Sequence, residues 1–205
     1  MSRFVRAGGW LFRRRTSIPL PLAFALLLIP SAESSGATAR LAAGAVIVAA
    51  GELLRLWAVH HIGVISRTRS ERLGPLVSTG PFAFVRNPLY LGNIALWVGF
   101  AVSAHLVWLV PIFIVVLALE YHAIVRWEEE LLGSRRPDEY RAYAARVPRW
   151  IPSFATSPSS SVRVGPPTAD LEATAHSWRE TFFSERGTLI AIAVGFLLLW
   201  VKHHV

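Results

Sequence analysis

Two clusters of polar residues bracket one long apolar stretch of the chain. Arg86, Asn87 and Tyr90 stand at its start, and Glu128-Glu129-Glu130 follows its end. No Asp, Glu, Lys or Arg occurs from residue 87 to residue 119, which is long enough for two helices that fold back on each other. Such a hairpin would bring both clusters to the same membrane face, where they could form a binding site.

The residue types of these clusters suit a charged ligand. Pro88 favours the first turn of a helix and disfavours helical geometry at Asn87, so free backbone N–H groups that attract anions should follow Arg86. Arginine and tyrosine also anchor helices at lipid headgroups without any catalysis. A carboxylate of Glu128 or Glu129 near this helix start could hold a cationic amine or a ribose hydroxyl. Pairing with Arg86 is the structural alternative.

The composition is that of an integral membrane protein. Of the 205 residues, 53% are hydrophobic and only 17% are charged, whereas soluble domains have roughly 25% charged residues. The formal net charge of +8 fits basic loops on the inner side of a membrane, and no aromatic and basic motif for nucleic acid accompanies it. Cysteine is absent, which excludes disulfides, thiolate metal ligands and cysteine nucleophiles.

The pattern predicts an all-α fold, namely an integral membrane helical bundle of about five transmembrane helices with a cytoplasmic interfacial cap. Glu52 and Arg55 lie three residues apart inside the second span, where they either pair with each other or serve function. Pro137 and the two acids after it predict a cap helix that ends before Pro148. The predicted spans cover residues 16–32 and 38–60, two helices from residue 87 onward with a turn at 103–105, and residues 188–201.

Four parts of the chain are predicted. Residues 1–15 form a basic interfacial N-terminus, and residues 16–154 form the membrane core. Residues 155–186, which contain prolines and a run of serines, form a flexible linker. Residues 187–205 form an accessory C-terminal transmembrane helix.

The motifs around the two polar clusters resemble a family of membrane methyltransferases, which includes isoprenylcysteine carboxyl methyltransferase and phospholipid methyltransferases. The resemblance covers about residues 51–154. Two positions depart from the family pattern: Asn87 stands where many relatives have histidine, and Arg136-Pro137 replaces a common Phe-Gly. The matching pieces, in family order, are Leu76 to Phe82, Val85 to Gly92, Glu128-Glu129, Leu132, Tyr140, Tyr143 and Val147-Pro148.

The resemblance implies an enzyme that transfers a methyl group from S-adenosylmethionine at the cytoplasmic face. The acceptor would be lipidic or small and apolar, with a carboxylate, amine, hydroxyl or thiol. The expected location is a bacterial cytoplasmic membrane that the chain crosses several times, with lipids as partners and no nucleic acid. The basic residues of the N-terminus and of the loops predict that the N-terminus is in the cytoplasm. No metal ligand is implied. Carried over by position, the catalytic residues would be Arg86, Glu128 and Glu129, and the cofactor-binding residues Arg86, Asn87, Pro88, Tyr90, Glu128, Glu129 and Tyr140.

Two other functions stay open. An NADPH-dependent membrane reductase of the sterol-reductase type shares an arginine-x-proline-x-tyrosine feature, but a Glu-Glu pair suits a cationic sulfonium better than an anionic dinucleotide. A non-catalytic lipid-binding membrane protein would keep the fold, and Asn87 at the usual histidine position is compatible with that alternative. If the acceptor were an amine or a hydroxyl, Glu128, Glu129 or His122 would be candidates for a general base.

Overall fold

A computed structural model describes residues 3–15, 17–31, 36–63, 76–154 and 177–204. Within these ranges the regular structure is entirely helical, which confirms the predicted all-α fold. The predicted linker residues 155–176 and the loop residues 64–75 lie outside the described residues. The helices are α1 Arg3–Arg14, α2 Leu20–Leu28, α3 Ala37–Ile62, α4 Pro88–Ser103, α5 Val110–Arg135, α6 Pro137–Arg146 and α7 Trp178–His204, with short 3₁₀ turns at Gly80–Ala83 and Val107–Leu109.

The helices differ in how much of a membrane they can cross. In the described part of the chain, α3, α7 and the continuous helix Val107–Arg135 are long and apolar enough to span it, and α4 is a shorter apolar helix. The number of spans is therefore approximate. The region predicted as the first span contains only α2, whose nine residues extend about 14 Å at 1.5 Å per residue. Helix α2 stops early because Pro30 favours an extended backbone at Ile29, where φ is −75° and ψ is 122°.

Helices α3 and α4 run antiparallel with their backbones unusually close. A methyl group added at Gly44 would lie 2.5 Å from the carbonyl oxygen of Gly99, and one at Gly92 would lie 2.8 Å from that of Gly51. Membrane helices use small residues for such contacts because lipid gives them little hydrophobic driving force to associate. The close packing fixes the second half of α3 beside the first turns of α4.

A tight turn folds α5 back along α4. His105 has a positive φ of 61°, and the Leu106 N–H donates to the Ala101 carbonyl at 2.9 Å. The start of α4 and the end of α5 consequently lie at the same end of the bundle, which we call the polar end. Helix α6 follows α5 after a break at Arg136, whose φ of −141° reflects the proline that comes next. The predicted cap helix is confirmed.

The N-terminal helix α1 packs against α5. Val5 and Phe12 are buried, and the Phe12 ring lies 5.0 Å from the Trp127 ring. A methyl group at Gly8 would collide with the Ala123 carbonyl oxygen, so the two helices are in close contact here. The basic N-terminal segment is therefore a helix with one side against the bundle.

The C-terminal helix α7 begins at Trp178, well before the predicted start at Thr188. Residues 178–186, which the sequence assigns to the linker, are thus helical. The Trp178 ring stacks on the His60 ring at 4.1 Å, and Thr181 and Glu185 are buried against the bundle. These polar and aromatic contacts, which a hydropathy pattern does not reveal, extend the helix beyond its apolar part.

Candidate active site at the polar end

Glu129 is the centre of an ion-pair cluster. Arg149 binds it with two parallel hydrogen bonds, from Nε to Oε1 at 2.8 Å and from Nη2 to Oε2 at 2.7 Å. Arg86 Nη1 donates to the same carboxylate at 2.9 Å and to the Tyr140 hydroxyl at 3.0 Å. Charge-assisted bonds of this geometry are strong. Two arginines on one carboxylate leave the cluster with one formal positive charge in excess.

Glu128 has a different environment, although it is the neighbouring residue. Successive residues of a helix point in directions about 100° apart, so the two carboxylates face different neighbours. The Tyr90 hydroxyl donates to Glu128 Oε1 at 3.0 Å, and the Tyr90 ring stacks on Tyr121 at 4.8 Å. Among the described residues no ion pair within 4 Å involves Glu128, and the positive charge that acts on it is that of Arg15, which also lines the cavity described below. Glu128 therefore remains available to a cationic ligand, whereas Glu129 is already engaged.

The segment before α4 is joined to the segment after α6. The Arg86 N–H donates to the Pro148 carbonyl at 2.9 Å, and Asn87 Nδ2 donates to the Arg149 carbonyl at 3.0 Å. Pro88 is buried and begins α4. Asn87, at the usual histidine position, thus uses its amide to hold the backbone of the segment that carries Arg149.

The cap holds two neutral tyrosines over this site. Burial, followed by the negative charge of Glu129, raises the pKa of Tyr140 to about 12. Burial also raises the pKa of Tyr143, whose hydroxyl donates to the Phe82 carbonyl at 2.8 Å. For Arg149, the hydrogen bond to Glu129 raises the pKa further. Both tyrosines consequently stay protonated at neutral pH, and Arg149 stays charged.

A cavity of about 1000 Å³ opens from these residues into the bundle. Its polar end is lined by Arg15, Arg86, Glu128, Glu129 and Tyr140, and helices α1 to α7 all contribute to its lining. The interior is largely apolar, with lining residues that include Leu26, Trp97, Phe100, Leu198 and Leu199. One space therefore joins a charged mouth to a hydrophobic interior.

The structure brings the predicted site residues together around this cavity. Arg86, Asn87, Pro88, Tyr90, Glu128, Glu129 and Tyr140 all line it. Their roles in binding and catalysis stay predictions. His122, a candidate base, is not among the lining residues, and its ring lies 6.4 Å from that of Trp150.

Sequence reasoning missed other residues that contact the site or line the cavity. Arg149 could have been identified, because it directly follows the Val147-Pro148 motif in the sequence. Three more come from different helices and carry no common motif: Asn93, Tyr121 and Glu185. Arg55, which the sequence analysis singles out for pairing with Glu52 or for function, lines the cavity too.

Comparisons with known proteins find a matching family and similar proteins. The model of the phospholipid methyltransferase family matches residues 39–135. A nickel-cobalt-cadmium resistance protein of Alcaligenes xylosoxydans xylosoxydans is 35% identical over 107 residues, which are 52% of this chain and 47% of that protein. A cobalt-zinc-cadmium resistance protein of Cupriavidus metallidurans is 30% identical over 98 residues, which are 48% of this chain and 42% of that protein. The chain thus spans less than half the length of either relative, and no solved structure matches it.

Proposed function

We propose that this integral membrane protein is an S-adenosylmethionine-dependent methyltransferase, because the model of the phospholipid methyltransferase family matches residues 39–135, as the motifs predict. Its acceptor is lipidic or small and apolar, and presents a carboxylate, amine, hydroxyl or thiol. The observation that carries the proposal is the cavity that joins Arg86, Glu128 and Glu129 to an apolar interior. Its volume of about 1000 Å³ is at the upper end of the roughly 300–1,000 Å³ usual for ligand pockets. Such a cavity has room for a cofactor and part of an acceptor.

The groups at the polar end fit the charges of S-adenosylmethionine, which carries a sulfonium, an ammonium and one carboxylate. Glu128, held by Tyr90, offers a carboxylate to a positive group. The cluster of Arg86, Glu129 and Arg149 has one positive charge in excess for the single carboxylate. Arg86 Nε is also buried without a hydrogen-bond acceptor among the described residues, a state that ligand binding would relieve. A dinucleotide carries several negative phosphates and matches the charges of these residues less well.

The residues of the chain would act by binding, orientation and exclusion of water. When bound, S-adenosylmethionine supplies an electrophilic methyl group on a positively charged sulfur. Tyr90 fixes the direction of the Glu128 carboxylate through its hydrogen bond. The cap is tied down where the Tyr143 hydroxyl donates to the Phe82 carbonyl and the Ser153 N–H donates to the Phe84 carbonyl at 3.0 Å. Holding two reactants in line can lower a barrier by roughly 7–11 kcal/mol.

The acceptor decides whether a proton must be removed. A carboxylate or a thiolate can attack without a base, whereas an amine or a hydroxyl loses a proton. In that case the Glu128 carboxylate would accept it, because Glu129 is bound by both Arg86 and Arg149. Glu128 thus serves either to hold positive charge or to take a proton.

The polar end is assigned to the cytoplasmic side in this proposal. Arg86, Arg126, Arg146 and Arg149 gather there, and basic residues favour the inner face of a bacterial membrane. The water-soluble cofactor would enter from that side, while the acceptor would come from the membrane. The two relatives named for metal resistance suggest where to look for this acceptor, namely in membranes of cells grown with cobalt or cadmium.

Calorimetric titration of the detergent-purified protein tests the proposal. We expect saturable binding of S-adenosylmethionine and no binding of NADPH. A second assay follows labelled methyl groups from S-adenosylmethionine into an extract of membrane lipids. Binding of NADPH alone would favour the reductase alternative, and binding of neither would favour a non-catalytic lipid-binding protein.

A further inference from the structure

A second arginine cluster lies inside the bundle and joins three helices. Arg55 of α3 donates from Nε to Glu52 at 3.1 Å and from Nη2 to Glu185 of α7 at 2.6 Å. The same Nη2 reaches the Thr188 hydroxyl at 3.1 Å, and Nη1 donates to Asn93 of α4. The side chain of Glu185 is only 1% exposed. Buried polar groups bonded across three helices help to fix the relative position of the helices that carry them.

This cluster is connected to the candidate active site by further contacts. The Asn93 side chain lies beside the Tyr121 hydroxyl. The Tyr121 ring stacks on the Tyr90 ring at 4.8 Å, and Tyr90 donates to Glu128. A continuous series of contacts therefore runs from α7 through α3, α4 and α5 to the carboxylate that the proposed mechanism uses. Every residue of the series, from Glu185 to Glu128, lines the cavity.

Helix α7 is attached to the bundle near both of its ends, and the Arg55 cluster is one of these attachments. Only 11% of its apolar window is buried, against 44% for α3 and 39% for α5. Near its start it is held by Thr181 and Glu185, and near its end by Leu199 and by Lys202, whose Nζ donates to the Leu26 carbonyl at 2.7 Å. Between these attachments α7 forms one wall of the cavity, through Thr188, Ala191, Ile192, Val194, Gly195 and Leu198.

We propose that Glu185 is a positioning residue of the methyl-transfer site. Through Arg55 it holds α7 as a wall of the cavity and keeps Asn93, Tyr121 and Tyr90 in the arrangement that orients Glu128. This inference rests on the proposed function for the chemistry at Glu128. Since α7 lies outside the matched residues 39–135, it adds to the family segment a part that the site needs.

A double-mutant cycle on cofactor affinity tests the connection. We expect Glu185→Gln to weaken S-adenosylmethionine binding about tenfold, measured by calorimetry on the full chain. In a Tyr90→Phe background the same change should weaken binding less than twofold, because the hydrogen bond to Glu128 is already lost. Glu180→Gln, an exposed carboxylate in the first turn of α7, is the matched control and should leave affinity unchanged. Unchanged affinity in Glu185→Gln, or an equal loss in both backgrounds, would overturn the proposal.

A labelling experiment tests, in the absence of the cofactor, whether Glu185 holds α7 against the cavity. The chain has no cysteine, so Ile192→Cys introduces a single thiol on the cavity side of α7. We expect Glu185→Gln to speed its reaction with N-ethylmaleimide several-fold, and Glu180→Gln to have no effect. Equal rates in both variants would overturn the proposal. If Glu185→Gln does not fold, Thr188→Val replaces it in the labelling experiment. This substitution removes one hydrogen bond to Arg55 and leaves the buried charges paired.

The two experiments separate this inference from the proposed function. If the unsubstituted protein does not bind S-adenosylmethionine, the proposed function fails, and the labelling rate alone then decides whether Glu185 holds the wall. If the cofactor binds and Glu185→Gln changes neither affinity nor labelling, the proposed function stands and Glu185 has no positioning role.

Discussion

The two arginine–glutamate clusters of this molecule differ in which residue is shared: in one, two arginines bind one glutamate, and in the other, two glutamates bind one arginine. At the polar end, Arg86 and Arg149 share Glu129, with side-chain exposures of 14%, 28% and 14%. Inside the bundle, Glu52 and Glu185 share Arg55, and the corresponding exposures are 7%, 1% and 10%. Each cluster connects parts of the chain that are far apart in sequence.

The difference indicates separate roles. The cluster at the polar end has a surplus of positive charge, lies at the mouth of the cavity and keeps a buried Arg86 Nε without a described acceptor. It is suited to an anionic group of a ligand. In the deeper cluster almost no water can replace a lost partner, so removing one member leaves a buried charge uncompensated. We therefore expect loss of Arg55, which both buried glutamates share, to cost most stability. Substitutions at the polar end should affect binding more than stability.

The largest effect on stability is expected for Arg55→Gln. It leaves the carboxylates of Glu52 and Glu185 buried together, and breaking a buried pair in this way typically lowers the free energy of unfolding by about 3–5 kcal/mol. Denaturant unfolding in detergent micelles measures the loss. Arg40→Gln on the same helix, half-buried near the other end of α3, is the control. A loss as small as that of the control would show that the cluster does not hold the bundle.

The largest effect on binding is expected for Glu129→Gln. Without this carboxylate Arg86 and Arg149 repel each other and lose their fixed directions, so affinity for S-adenosylmethionine should fall about a hundredfold, or about 2.7 kcal/mol. Stability should change much less than in Arg55→Gln, since water reaches this cluster. Glu130→Gln, at the exposed neighbouring position, should bind the cofactor normally. The assignment of separate roles fails if Glu129→Gln unfolds the protein and leaves the affinity of the folded fraction intact.

A smaller effect is expected for Tyr90→Phe. The substitution removes the hydroxyl that donates to Glu128 at 3.0 Å and keeps the ring that stacks on Tyr121. A hydrogen bond to a charged group contributes roughly 1.5–3 kcal/mol, so affinity for the cofactor should fall about tenfold or somewhat more. Tyr90→Ala should bind more weakly still, because the stack is lost too. Equal affinity of Tyr90→Phe and the unsubstituted protein would remove Glu128 from the proposed site.

Much of the fold could be predicted because the sequence marks it locally. A charge-free run predicts α4 and α5, and Pro137 with two acids predicts α6. The short α2 and the early start of α7 were not predictable in this way. Helix α2 is interrupted by prolines within an otherwise apolar run, while α7 begins with polar residues that resemble a linker.

The candidate site was only partly predictable for a related reason. Motif spacing brings Arg86 and Glu129 to one end of a hairpin, but it does not give the rotation of α5. That rotation decides that Glu129 meets the arginines and that Glu128 meets Tyr90. Glu185 was missed because its partner Arg55 is 130 residues away and no local pattern connects the two.

The dependence of stability on alkaline pH tests whether Tyr140 of the cap is buried. Burial raises the pKa of Tyr140 to about 12, whereas an unfolded tyrosine titrates near 10. The folded state therefore binds this proton more tightly, so the contribution to stability is complete below about pH 10 and is lost as the pH rises toward about 12. Unfolding measured across this window should depend less on pH in Tyr140→Phe. An unchanged slope would mean that Tyr140 is not buried against Glu129.

The smallest effect is expected for Arg141→Gln, which supplies the baseline for the comparison of clusters. Arg141 pairs with Asp138 at 3.5 Å, but the two side chains are 79% and 89% exposed. Exposed pairs contribute little because water solvates both charges, so the free energy of unfolding should change by less than about 0.5 kcal/mol. Denaturant unfolding measures this value under the same conditions as for Arg55→Gln. Both variants lose an arginine paired with a carboxylate, and they differ chiefly in burial and in the number of partners. If their effects were equal, the low exposure of Glu185 and Glu52 could not be the reason that the deeper cluster stabilises the bundle.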